Sequence, residues 1–255
     1  MSRDGAPLEH GLDGLPATGE RTAPGLPHEE YWFARHLVAY HWSAQRLSSH
    51  GVVVDAGAGE GYGPSLLPGR LRLAVDYDRA TCAHMRAHYP TIAPVTANLA
   101  ALPIADESVD AVVTLQVLEH IWNPLGFLAE ARRILRAGGR LLLTTPNRLT
   151  FSPGLGRGEK PANPFHVEEF DAEQVRSLLK QAGFADIGVF GLHHGPRLQE
   201  WESTHGSLVA AQVTAMTTGK WSVELGDMVS SVTAADFEFS GEVQTAQDLV
   251  AQGVA

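Results

Sequence analysis

Short apolar runs and longer amphipathic ones alternate along the middle of the chain. Val52-Val53-Val54, Leu71-Arg72-Leu73-Ala74-Val75, Ala111-Val112-Val113-Thr114-Leu115 and Arg140-Leu141-Leu142-Leu143-Thr144-Thr145 have the length and residue types of strands. Before the last of these, Phe127, Leu128, Ala131, Ile134 and Leu135 keep helical spacing, and Gly138-Gly139 is expected to close that helix. Asp171, with Gln174 three residues on, reads as a capping box. Val175, Leu178, Leu179 and Ala182 then form a buried stripe up to Gly183. A sixth strand is expected at residues 187–190 and a last one near 248–251. Strand, helix and glycine stop alternate throughout, which points to an α/β sheet.

The flanking segments read differently. Residues 1–18 are rich in Gly and Pro without periodicity and are expected to form a mobile tail. Tyr31, Trp32, Phe33, Tyr40 and Trp42 sit among basic residues, which suits either helices capping a ligand site or core packing against a sheet edge. The tract from 192 to 235 is long for a connection, so it is expected to be an added helical segment that shapes a ligand pocket or a dimer contact.

Composition narrows the field. A chain of 255 residues, 44% of them hydrophobic, can bury one sizeable core. No apolar run approaches the ~18 residues needed to cross a bilayer. No signal-peptide core is evident either, so the expectation is a soluble, cytoplasmic protein. Cys82 is the one cysteine, which excludes a disulfide framework and leaves it as apolar filler. A formal net charge of −10 argues against nucleic acid as partner and favours a neutral or cationic small molecule.

The most specific chemistry lies in Asp55-Ala56-Gly57-Ala58-Gly59-Glu60-Gly61, directly after the first strand. Glycines there let the backbone approach a bound ligand and aim its N–H groups at it. The spacing fails the G-x-G-x-x-G of a dinucleotide turn in both frames, because Tyr62 and Pro64 stand where the third glycine is needed. An acid opening the turn would repel a pyrophosphate but suits a ligand carrying an ammonium beside a sulfonium, such as S-adenosylmethionine. About twenty residues on, Asp76 ends the second strand where it can accept both ribose hydroxyls, and Tyr77 could cover an adenine face.

With Asp55 to Gly61 and Asp76 in order, the chain resembles the class I S-adenosylmethionine-dependent methyltransferases. The resemblance implies a single Rossmann-like, doubly wound, mostly parallel sheet of seven strands within residues 19–255. It also implies an N-terminal helical cap over 19–50 and the helical insertion, an acceptor lid, before the last strand. It further places Asn98 and the Leu99 backbone at the adenine and Leu115 in the cofactor set, with S-adenosyl-L-homocysteine as product. A narrower resemblance runs from about Gly19 to Val250. Gly19-Glu20-Arg21-Thr22, Glu30-Tyr31-Trp32-Phe33-Ala34-Arg35-His36, Gln116-Val117-Leu118-Glu119-His120, Thr145-Pro146-Asn147-Arg148, Asn163-Pro164-Phe165-His166 and His194-Gly195-Pro196-Arg197-Leu198 look like actinobacterial sugar methyltransferases, nearest the mycofactocin oligosaccharide methyltransferase group. That resemblance implies methylation of a saccharide hydroxyl.

A sugar hydroxyl does not ionise at neutral pH, so its transfer calls for a base. His120, with Glu119 before it, falls just past the fourth strand, on the rim where open α/β sheets bind ligands. His166 follows a Pro-containing loop and could reach the same rim with Glu169 as its orienter. Each has a plainer reading, as a loop cap for Glu119-His120 and a structural hydrogen bond for His166. His193 and His194 point to opposite sides of an extended segment, and no metal site is expected. The alternative activity is methylation of a nitrogen, carbon or phenolic oxygen.

Overall fold

A computed structural model describes residues 22–161 and 163–255; the expected tail at 1–18 and the Gly19-Glu20-Arg21 motif lie outside the described residues. The chain divides into two compact units, one of residues up to Val38 with His194–Glu238, the other of Ala39–His193 with Phe239–Ala255.

The strands are β1 (Val52–Ala56), β2 (Leu71–Asp76), β3 (Ala93–Thr96), β4 (Val109–Leu115), β5 (Leu135–Pro146), β6 (Ala185–His194), β7 (Phe237–Ser240) and β8 (Asp248–Val254). They form one sheet in the order β3-β2-β1-β4-β5-β8-β6-β7. Strands β3, β2, β1, β4 and β5 run parallel, while β8 is antiparallel to both β5 and β6. The order reverses at β1, which pairs with β2 on one side and β4 on the other, and the carboxyl ends at such a switch point are where open α/β sheets bind ligands.

Helices α1 (Glu30–Ala44), α2 (Tyr62–Leu66), α3 (Arg79–His88), α4 (Pro124–Ile134), α5 (Arg148–Phe151), α6 (Ala172–Gln181), α7 (Pro196–His205), α8 (Leu208–Thr218) and α9 (Val223–Ser230) complete the fold. The capping box opens α6 as its sequence indicates: Asp171 accepts from the backbone of Glu173 and Gln174, and the Gln174 side chain answers the Asp171 N–H at 3.1 Å. No helix among the described residues is long and apolar enough to cross a membrane.

Two expectations are corrected. The sheet has eight strands rather than seven, because Phe237-Glu238-Phe239-Ser240 adds a short strand just after the helical tract, where four alternating residues give little signal. The glycine pair does not end a helix. Helix α4 stops at Ile134, β5 starts at Leu135, and Gly138 at φ 76° lies where the register slips between Val109↔Leu135 and Ala111↔Arg140. The pair makes a bulge in a strand, which glycine supports as readily as a helix stop.

The larger unit is built on a continuous apolar core that includes Val54, Val112, Phe127, Leu128, Leu141 and Leu143. Truncating Phe127, fully buried there, would cost about 3–5 kcal/mol. Cys82 is buried on α3. In the smaller unit Tyr31 is fully buried and donates to His194 Nε2 at 2.7 Å, and His194 Nδ1 donates to Glu202 Oε2 at 2.9 Å. Tyr31 is therefore a core residue with its hydroxyl satisfied.

Candidate active site

Strand β1 ends in Asp55-Ala56, and Gly57, Gly59 and Gly61 follow with φ of 86°, 56° and 105°. The first needs glycine twice over, since a Cβ there would also meet Val117 Cγ2 at 2.4 Å. The turn is braced from the next strand. Asp76 Oδ2 accepts from Gly59 N at 3.1 Å and its Oδ1 from Asp78 N at 2.9 Å, so the carboxylate sits beside the turn at the tip of β2. Tyr77, 82% exposed, stands next to it.

Asp55 is almost wholly buried. Its Oδ2 accepts from the Tyr40 hydroxyl at 2.9 Å, while Oδ1 has no hydrogen-bond partner among the described residues. Burial pushes the Asp55 carboxyl up to about 7, the Tyr40 hydrogen bond opposing this and the neighbouring Asp76 charge adding to it. A buried carboxylate with one orphaned oxygen is where a cationic group gains most. Together with Asp76 it fits a ligand bearing an ammonium and a vicinal diol, as S-adenosylmethionine does. Leu115 is buried at the end of β4, Leu99 is half-buried, and Asn98 is exposed with its Oδ1 accepting from Ala100 N at 2.9 Å. The Asn98 side chain thus holds its own turn.

The second cluster lies at the carboxyl end of β4, beside β1. Gln116, at φ 56°, turns the chain into a short 3-10 turn, Leu118–His120. Glu119 is buried; its Oε2 accepts from Thr145 Oγ1 at 2.9 Å, and its backbone oxygen accepts from Val167 N at 2.7 Å. That second bond pins the 163–169 loop against the turn. In return His120 Nδ1 donates to the Phe165 carbonyl at 3.0 Å, which orients the ring.

His166 Nδ1 donates to Glu169 Oε1 at 2.8 Å, and its Nε2 takes the Asn163 amide at 3.0 Å. The two imidazoles meet edge to face with centroids 5.0 Å apart. His120 Nε2 lies 3.9 Å from Glu119 Oε1. Burial raises the Glu119 carboxyl, the two histidines opposing the shift. One ligand atom from each of Glu119, His120 and His166 lies within 4.8 Å of the other two, a donor set that could also hold a divalent ion. Trp122, 88% exposed, and Phe165, 53% exposed, flank the pair in sequence.

Sequence reasoning named these residues but missed others. Tyr40 was singled out as an aromatic, not as the partner of Asp55. Glu60, buried inside the glycine turn, accepts from Tyr89 at 2.6 Å with His84 Nε2 at 3.2 Å, and nothing in the local sequence announces that cluster. His193 and His194 do diverge, the first bonding the Glu242 carbonyl at 3.0 Å.

Known proteins are similar to this chain in sequence and fold. Residues 54–143 match the model of a family described as a methyltransferase domain. A probable S-adenosylmethionine-dependent methyltransferase of Mycobacterium tuberculosis is 45% identical over 249 residues, covering 94% of this chain and 89% of the relative. A relative of the same description from Mycolicibacterium smegmatis is 44% identical over 248 residues, covering 94% and 95%. A SAM-dependent methyltransferase of Thermotoga maritima superposes with a TM-score of 0.61 at 20% identity, covering 88% of this chain and 93% of that one. A phosphoethanolamine N-methyltransferase of Haemonchus contortus, solved with S-adenosyl-L-methionine, gives 0.54 at 18% identity, covering 89% and 56%.

Proposed function

The chain belongs to the S-adenosylmethionine-dependent methyltransferases, and from that premise we propose that it methylates a hydroxyl of a saccharide or glycosylated small molecule. Asp55 and Asp76 hold the ammonium and ribose of the donor, with the Gly57–Gly61 turn beneath it, Tyr77 over the adenine, and Asn98, Leu99 and Leu115 around it. The acceptor lies over the carboxyl ends of β1 and β4. Its oxygen attacks the methyl carbon in line with the departing sulfur, so that the O–C bond forms as the S–C bond breaks and S-adenosylhomocysteine leaves as a neutral thioether. Holding that geometry is worth about 7–11 kcal/mol.

The observation that carries the reading is the placement of His120 just past the carboxyl end of β4, its ring oriented by the Phe165 carbonyl. With Nδ1–H committed to the Phe165 carbonyl, Nε2 is the nitrogen able to take the hydroxyl proton, and buried Glu119 favours the resulting imidazolium. His166, oriented by Glu169, packs edge-on against His120 and supports it. Trp122 and Phe165 supply the flat apolar surfaces on which the C–H face of a sugar ring rests. The resemblance to sugar methyltransferases, carried by the motifs around His120, Asn147 and His166, supports the same acceptor class.

The experiment is turnover of labelled S-adenosylmethionine with glucosides, phenols and amines. Methylation of a glucoside, lost in His120→Ala with the affinity for S-adenosylhomocysteine unchanged, is the expected result. Turnover of amines or phenols alone, unaffected by that substitution, would replace the reading with the N-, C- or phenolic acceptor.

A further inference from the structure

A cleft of about 620 Å³ opens at the amino ends of β1, β4 and β5, the sheet edge opposite Asp55 and His120. Arg46, Arg70, Arg136 and Arg140 line it, with Asp110 as the one acid. On a chain of formal charge −10, this is a concentrated positive site.

The four arginines are not equivalent. Arg136 pairs with Asp110, whose Oδ2 also accepts from Val52 N at 2.6 Å. Arg46 is held in place by the Trp42 ring, 3.9 Å below its guanidinium, and by a 2.9 Å bond from Nη1 to the Trp42 carbonyl. The side chains of Arg70 and Arg140 make no hydrogen bond or ion pair among the described residues. Burial, and after it the charge of Arg140, hold the Arg46 guanidinium below its usual range. Three cations thus line one concavity with their single acidic neighbour already committed to Arg136. An anion entering it gains charge-assisted, bidentate hydrogen bonds and relieves the repulsion.

We infer that this cleft binds a small phosphorylated anion with two adjacent negative centres, of the diphosphate class, independently of the methyl-transfer site. The volume lies within the range of about 300–1,000 Å³ usual for small-molecule sites and exceeds what one phosphate ion fills. The chain's overall negative charge disfavours an extended polyanion such as RNA.

The test is calorimetric titration of inorganic pyrophosphate into the full chain, with S-adenosylhomocysteine present, for the wild type and R70Q/R140Q. Saturable binding at one site per chain is expected, weakened about tenfold or more in the double variant, with the affinity for S-adenosylhomocysteine the same in both. Absence of saturable heat, equal affinity in the variant, or sulfate binding as tightly as pyrophosphate would each overturn the inference. If R70Q/R140Q also loses S-adenosylhomocysteine, R70Q alone, at an exposed position before β2, gives the same comparison in a folded chain. Because the cleft lies at the opposite end of the strands from the cofactor turn, its failure leaves the methyltransferase assignment standing.

Discussion

Tyr40 donates its phenolic proton to Asp55 Oδ2 across 2.9 Å, joining α1 to the end of β1. The bond stabilises the ionised form of a carboxyl that burial would otherwise keep protonated. In Tyr40→Phe the affinity for S-adenosylhomocysteine at pH 7 should fall by about ten- to a hundredfold, from loss of one hydrogen bond to a charged group at about 1.5–3 kcal/mol. Calorimetry decides this, and an unchanged dissociation constant would separate Tyr40 from cofactor binding.

Cofactor affinity should depend on pH through the same carboxyl. The Asp55 pKa stands at about 7 in the free protein, against an ordinary value of 3.8, so the donor's ammonium meets a protonated acid below neutrality. Binding should strengthen as pH rises through about 7, by at most about tenfold per unit, and then level off. Stability of the cofactor-free chain runs the other way. A raised pKa contributes stability fully present below 3.8 and lost as pH rises through about 7. Thermal melts from pH 5 to 8 should show this decline in the wild type and a shallower one in Asp55→Asn, where the raised Glu119 carboxyl still contributes.

Asp76→Ala removes the acceptor at the tip of β2 and should weaken the cofactor without unfolding the chain. Gly57→Ala is the opposite case: a side chain at φ 86° and 2.4 Å from Val117 should cost about 1–3 kcal/mol of stability as well as affinity. Urea midpoints alongside binding curves distinguish the two.

His120→Ala should lower kcat by about 10²–10⁴, the contribution expected of a general base, with little change in cofactor affinity. Glu169→Gln acts through His166 and should have a smaller effect. Steady-state kinetics at saturating cofactor separate base from prop: His120→Ala loses nearly all of kcat, whereas Glu169→Gln keeps most of it.

The donor set of Glu119, His120 and His166 has a test of its own. If the histidines act as acid–base groups, dialysis against a chelator leaves turnover intact. Activity lost on chelation and restored by one divalent ion, with cofactor binding constant, would reassign the trio as metal ligands.

What could be read in the sequence was what neighbouring residues decide. The Asp55–Gly61 turn, Asp76 and the Asp171–Gln174 box are each set by a few adjacent positions, and the pairing of His166 with Glu169 spans three residues. What escaped was set by topology. The Tyr40–Asp55, Glu119–Thr145 and His120–Phe165 contacts join residues 15, 26 and 45 positions apart, brought together only once the sheet has formed. Strand β7 was missed because four alternating residues beside a helical tract carry almost no periodic signal. The glycine pair at 138–139 misled because a positive φ serves a bulge and a helix end equally well.

Gly63 and Tyr40 share one small volume: a methyl group at position 63 would sit 2.0 Å from Tyr40 Cζ and 2.3 Å from its hydroxyl oxygen. Neither position can therefore drift alone. An enlargement at 63 displaces the phenol from Asp55, and only a smaller residue at 40 would make room, at the loss of that same bond. Variation at these two sites is predicted to be correlated, and an engineer who wishes to reshape the donor pocket must change them as a pair.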